Sequence, residues 1–148
     1  MKQQDMAFAF SPQAMDRAKA YFSRSMEMEK ETMLQKLRLE KCSLQMDCLP
    51  GQESRDEQAL AHQLQARRAA LMEGLQKWLE TEEEIKSTIR ALPDGMQRTV
   101  LEMRYVHQIP YFDIAEKLHM DERHIYRVHR KALQTAAVIL ADQGKITA

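Results

Sequence analysis

Apolar residues recur along most of this chain at intervals of three, four and seven, with charged residues between them. That spacing is helical, and no run of alternating β-branched residues competes with it. The first segment opens at Ser11-Pro12, an N-cap followed by proline at the first helical position. It carries Met15, Ala18, Phe22, Met26, Met33, Leu37 and Leu44 to about Asp47, where Leu49-Pro50-Gly51 stops it. The second opens at Ser54-Arg55-Asp56-Glu57, a capping box in which the serine hydroxyl and the glutamate carboxylate each satisfy a first-turn amide. It sets Leu64, Leu71, Trp78, Ile85 and Leu92 at strict seven-residue intervals, widened by Leu60, Leu75 and Ile89. Such a heptad run is a coiled-coil pattern. Each helix is roughly 50 Å long at ~1.5 Å per residue, and neither buries its stripe alone. The short Pro-Gly link therefore predicts an antiparallel hairpin, with Leu64, Leu71, Trp78 and Ile85 as its seam or as an oligomer seam. Two hairpins pairing into a four-helix assembly satisfies the same pattern. Gly74 sits mid-helix, where it costs about 1 kcal/mol relative to alanine; a close helix crossing and simple tolerance both account for it.

Leu92-Pro93-Asp94 ends the long helices, and shorter elements follow. Asp94 caps a helix with Gln97 at its third position, running to about His107. A second helix follows Ile109-Pro110 and ends near Leu118. After the turn His119-Met120-Asp121, a last helix capped by Asp121 runs to about Ala141. In this stretch Ile114, Ala115, Leu118, Met120, Ile125 and Val128 have the layout of a helix-turn-helix core. Ala115 is the small residue where the two helices touch, Ile114 and Leu118 lie one turn apart, Met120 plugs the turn, and Ile125 and Val128 face inward from the second helix. The outward residues of that helix are Arg123, His124, Arg127, Arg130 and Lys131, with Tyr126 beside them. A helix fits the major groove, where arginine and lysine reach phosphates and guanine edges.

Composition supports an all-α reading: 4 Gly and 4 Pro in 148 residues, and 11 Met suited to irregular seams. The formal net charge is zero, which by itself argues against nucleic-acid binding. Between Glu122 and Leu133, however, four basic residues face one acidic residue, so the neutral chain carries a basic helix. The acidic run Glu80, Glu82, Glu83, Glu84 is expected as a solvated helix face. Cys42 and Cys48 turn to different sides of a helix and are expected as free thiols. His119, His124 and His129 are spaced by fives, which scatters them around a helix; no metal site is expected. No stretch approaches the roughly 20 apolar residues of a membrane span, and the N-terminus has no convincing signal-peptide pattern, so the expectation is a cytoplasmic protein. No Gly-rich phosphate loop or nucleophile elbow asks for an enzyme, and no cofactor is implied.

Leu92-Pro93, Val100 to Tyr105, Tyr111 to Leu118 and Ile125 to Leu133 together resemble the promoter-reading C-terminal domain of sigma factors. With the preceding hairpin, the chain from about residue 14 resembles small phage and prophage sigma-like regulators of the ArpU type. The resemblance implies double-stranded DNA as a partner, RNA polymerase as a second one, and a bacterial host cytoplasm as location. One departure is His119, at the turn position where sigma domains usually place glycine and where a positive φ is expected. The sigma regions that melt and hold promoter DNA have no counterpart here. The expected organisation is a tail (1–10), a helical hairpin (11–92) for oligomerisation or partner binding, a helix-turn-helix domain (93–141) and a second tail (142–148). The expected function is sequence-specific transcription control. Two alternatives stay open: a helical adaptor that does not bind DNA, and the DNA-recognition subunit of a phage packaging machine.

Overall fold

The computed structural model describes residues 11–48 and 55–146, so the Leu49-Pro50-Gly51 stop, the Ser54 end of the capping box, the first tail and residues 147–148 of the second lie outside the described residues. Five α-helices follow one another: α1 (Pro12–Asp47), α2 (Arg55–Arg90), α3 (Gly95–Leu101), α4 (Tyr111–Lys117) and α5 (Glu122–Asp142). The described chain has no strand, and no helix is long and apolar enough to cross a membrane. The architecture is all-α, a long helical hairpin followed by shorter helices.

Local chemistry sets most boundaries. Ser11 Oγ accepts from the Ala14 amide (3.1 Å) ahead of Pro12, and Asp94 Oδ1 accepts from the Gln97 amide (2.9 Å) at the start of α3. Each bond satisfies an orphan donor of a first turn. Past Leu101 the helix widens into a π-helical segment, Glu102–Val106, in which the His107 amide reaches back to the Glu102 carbonyl.

Compactness groups the described residues into two units. The first, the head, comprises 11–26 and 81–146; the second, the stem, is Glu27–Glu80. The head's larger core joins Ala14, Ala18, Tyr21 and Phe22 of α1, Ile85 and Ile89 of α2, Leu92, Leu101, Tyr105, and Ala132, Leu133, Ala136, Ala137 and Leu140 of α5. Tyr21 Oη lies 3.0 Å from Glu84 and 3.2 Å from Thr88 Oγ1, tying α1 to α2. In the stem, Cys42 Sγ donates to the Leu60 carbonyl (3.8 Å), and a Cβ on Gly74 would stand 2.6 Å from Gln35 Oε1. The glycine thus lies where α1 and α2 approach closely. Both cysteines are free thiols, Cys42 buried and Cys48 exposed.

The inward line of α1 differs from the most apolar line in its sequence. Positions 14, 18, 21, 25, 28, 32, 35, 39, 42 and 46 are all buried or half-buried, while Met33, Leu37 and Leu44 are exposed. The inward line alternates steps of four and three, as a coiled-coil seam requires, and contains no charge. The line through Leu37 and Leu44 also carries Lys30, Glu40 and Lys41, whose charges would lose hydration on burial. Freedom from charge, more than apolar content, selected the buried face. On α2, Leu64, Leu71 and Trp78 lie half-buried on the inward line, and Ile85 is fully buried.

Candidate nucleic-acid interface

The six residues read as a helix-turn-helix core come together. Ile114, Ala115 and Ile125 are buried with Val100, and Leu118, Met120 and Val128 pack against them, joined by Met96, Met103, Ile109 and Tyr111. The turn between α4 and α5 is closed by two backbone bonds: His119 N to Glu116 O (3.2 Å) and Met120 N to Ala115 O (2.9 Å). This is a Schellman motif, whose residue past the cap takes the left-handed conformation. His119 does so, with φ of 53°. The same two bonds close α5 around Gly144, φ 71°, where glycine makes the conformation free of Cβ strain. His119→Gly is therefore expected to raise stability by about 1 kcal/mol; equal urea midpoints for variant and wild type would contradict that strain.

Asp121 stands at the N-cap position of α5 with extended backbone, and its carbonyl accepts from the amides of His124 and Ile125. Its carboxylate makes no capping bond, so the position is as expected but the side chain's role is not. Beyond it, Arg123, His124, Arg127, Arg130 and Lys131 are all exposed. Steps of four and three put Arg123, Arg127 and Arg130 on one line of the helix, opposite buried Ile125 and His129. His124 and Lys131, seven apart, lie on the neighbouring line. Among the described residues, no ion pair engages the guanidinium groups of Arg123, Arg127 or Arg130 or the Lys131 ammonium. Tyr126 is half exposed, donates to Glu122 (3.2 Å) and packs on Tyr111 at 4.8 Å between centroids.

The acidic run is differently placed. Glu82 pairs with Lys86, Glu83 with Arg90, and Glu84 with Lys145. These carboxylates are partnered within the chain, which leaves little free negative charge there for a basic ligand. Among the described residues, no group of three or more His, Cys, Asp or Glu could hold a metal ion.

Beneath the basic face lies a polar network that residue spacing did not reveal. His129 Nε2 is 2.8 Å from Tyr105 Oη and 3.2 Å from Tyr111 Oη. The Tyr105 ring stacks on His129, and the Arg104 guanidinium lies 4.7 Å from the centre of the Tyr111 ring. Burial, with lesser contributions from the charges of Lys19 and Arg104, pushes the His129 pKa down to about 4. Burial likewise raises the Tyr105 hydroxyl, so at neutral pH both groups are uncharged. In the Nδ1–H tautomer, the single lone pair of Nε2 accepts from one hydroxyl, the nearer being Tyr105 Oη, with Tyr111 Oη also within reach, so the ring joins α5 to the π-helical segment and α4. The available signal was that two tyrosines and a histidine share the inner side of these short helices, but their meeting depends on how the helices cross.

Residues 38–136 match the model of a family described as a protein of unknown function, DUF1492. The chain belongs to this family. No curated protein and no solved structure matches it. The DUF1492 region begins within the distal half of α1 and runs through α4 and the turn into α5, so it includes the six helix-turn-helix core residues and leaves out Ala14, Ala18, Tyr21, Phe22, Ala137 and Leu140 of the head core.

Proposed function

We propose that this protein is a sequence-specific DNA-binding transcription regulator of sigma-like type, acting on phage or prophage genes in the bacterial cytoplasm. One observation carries the reading: five exposed basic or imidazole side chains crown a helix whose opposite face is packed on a helix-turn-helix core. Arg123, His124 and Arg127 occupy the first turns of α5, the end of a recognition helix that meets base edges. Tyr126, Arg130 and Lys131 lie nearer the phosphate backbone. The partners in this reading are duplex DNA, a second copy of the chain, and RNA polymerase, the last on the sigma-like resemblance alone. No catalytic step is assigned.

The test is affinity for specific and random duplexes across a salt series, the specific site being selected from a random pool. Arg127→Ala is expected to cost about 1–3 kcal/mol and to relax selectivity at one base pair. Lys131→Ala is expected to weaken all sequences alike and to reduce the salt slope by about 0.9, one phosphate's worth. If Arg123→Ala, Arg127→Ala and Lys131→Ala all bind as wild type does, the recognition-helix reading fails. Absence of any duplex binding would leave the helical adaptor; selective binding at packaging sites in place of promoters would favour the packaging subunit.

A further inference from the structure

The stem's core is thin. Among the described residues of Glu27–Glu80, only Thr32 and Cys42 are buried, and the rest of the seam is half-buried. Yet six large apolar side chains in the same unit are about half exposed or more: Met33, Leu34, Leu37, Leu44, Met72 and Leu79. Ordering a residue costs roughly 1–2 kcal/mol of backbone entropy, and a seam that is mostly half-buried offsets only part of that over such a length. Exposed apolar area on this scale marks an interface.

The geometry of the strip is continuous. Met33, Met72 and Leu79 each come one residue after a seam position, Thr32, Leu71 and Trp78 respectively. In an antiparallel pair, that offset turns all three to the same side of the hairpin. Leu37 and Leu44 continue the strip onto the back of α1, where with Glu40, Lys41, Gln45 and Cys48 they line a shallow groove. The charge around it is mixed: Glu27–Glu80 holds eight basic and ten acidic residues. A polyanion or an anionic membrane finds no positive field there, and a strongly charged protein finds no complement. A second copy presents the same apolar strip with the same interspersed signs, which is the self-complementary patch a two-fold interface requires.

We infer that two copies of the chain pair through this strip, Met33, Leu37 and Leu44 of α1 with Met72 and Leu79 of α2, into a four-helix stem. The seam residues Leu64, Leu71 and Trp78 stay inside each hairpin and do not form the interface between copies. A pair of chains then carries two recognition helices and reads a two-part site. The pairing itself does not rest on DNA contact.

Sedimentation equilibrium of the full chain between about 1 and 100 µM, without DNA, tests it. Wild type is expected to be a dimer. The double variant Leu37→Ala/Leu79→Ala is expected to dimerise ~100-fold more weakly, since four buried leucines per dimer lose their contacts. Both sites are more than half exposed within the chain, and alanine is the best helix former, so the variant loses little within one copy. A wild-type monomer at 100 µM overturns the inference, and so does a double variant with the wild-type dissociation constant. Neither result bears on the recognition helix, whose failure would show only in the duplex-binding series.

Discussion

Replacing Phe22 by alanine is expected to destabilise the head by about 3–5 kcal/mol, the usual cost of removing a buried aromatic side chain. Phe22 is fully buried, edge-on to Tyr21 and stacked on Tyr105, each at 5.5 Å between centroids. Removing it leaves a void between α1 and the π-helical segment, with the Tyr105–His129 contact on its far side. Urea unfolding followed by near-ultraviolet circular dichroism measures the effect, because the head's tyrosines report their own packing. A loss below about 1 kcal/mol would mean that α1 is not part of the head's core. In the proposed DNA-binding reading, affinity for duplex DNA falls with the folded fraction alone, since Phe22 lies inside the head and not on the exposed face of α5.

Acidification should expose the second large effect. His129 has a folded pKa near 4 against about 6.5 for a free histidine. Between those values the unfolded chain binds a proton that the folded chain does not, so stability falls as pH drops from about 6.5 to about 4 and is regained on return to neutrality. The displacement corresponds to about 3 kcal/mol at 1.36 kcal/mol per pH unit. The structural cause is burial first, then the positive charges of Lys19 and Arg104; a proton on Nε2 would also turn the ring's acceptor, which faces two tyrosine hydroxyls, into a donor. Thermal melts at pH 7, 5.5 and 4.5, compared between wild type and His129→Gln, isolate this contribution from carboxylate titration. Equal pH slopes for the two proteins would show that His129 is not held neutral by its surroundings.

Much of the architecture was legible because it depends on near neighbours in the chain. The Ser11 and Asp94 caps, the helix starts after proline and the His119 turn are set by groups within a few residues of each other. The six helix-turn-helix core residues could be read because a short helix joined by a tight turn to the next one leaves few ways to bury them. The basic line Arg123, Arg127, Arg130 follows from helical spacing alone once α5 is a helix.

Tertiary packing decided the rest. Sequence periodicity found the apolar residues of α1 but not which face is buried. Several lines on a long helix meet a heptad spacing, and the outcome turned on the cost of dehydrating Lys30, Glu40 and Lys41, which keeps Leu37 and Leu44 off the hairpin seam. Gly74 could be tolerance or close approach until Gln35 and Thr32 were seen opposite it. Nothing local joins Phe22 to Tyr105, or Tyr105 to His129, because those pairs lie far apart in the chain. Their contact exists only once α1, the π-helical segment and α5 share one core. The amino-acid sequence by itself determined where helices begin and end and which side of α5 is charged, since backbone capping and helical pitch act over a turn or two. Which faces meet, and which histidine loses its proton affinity, were decided by long-range burial, whose energy belongs to no single segment.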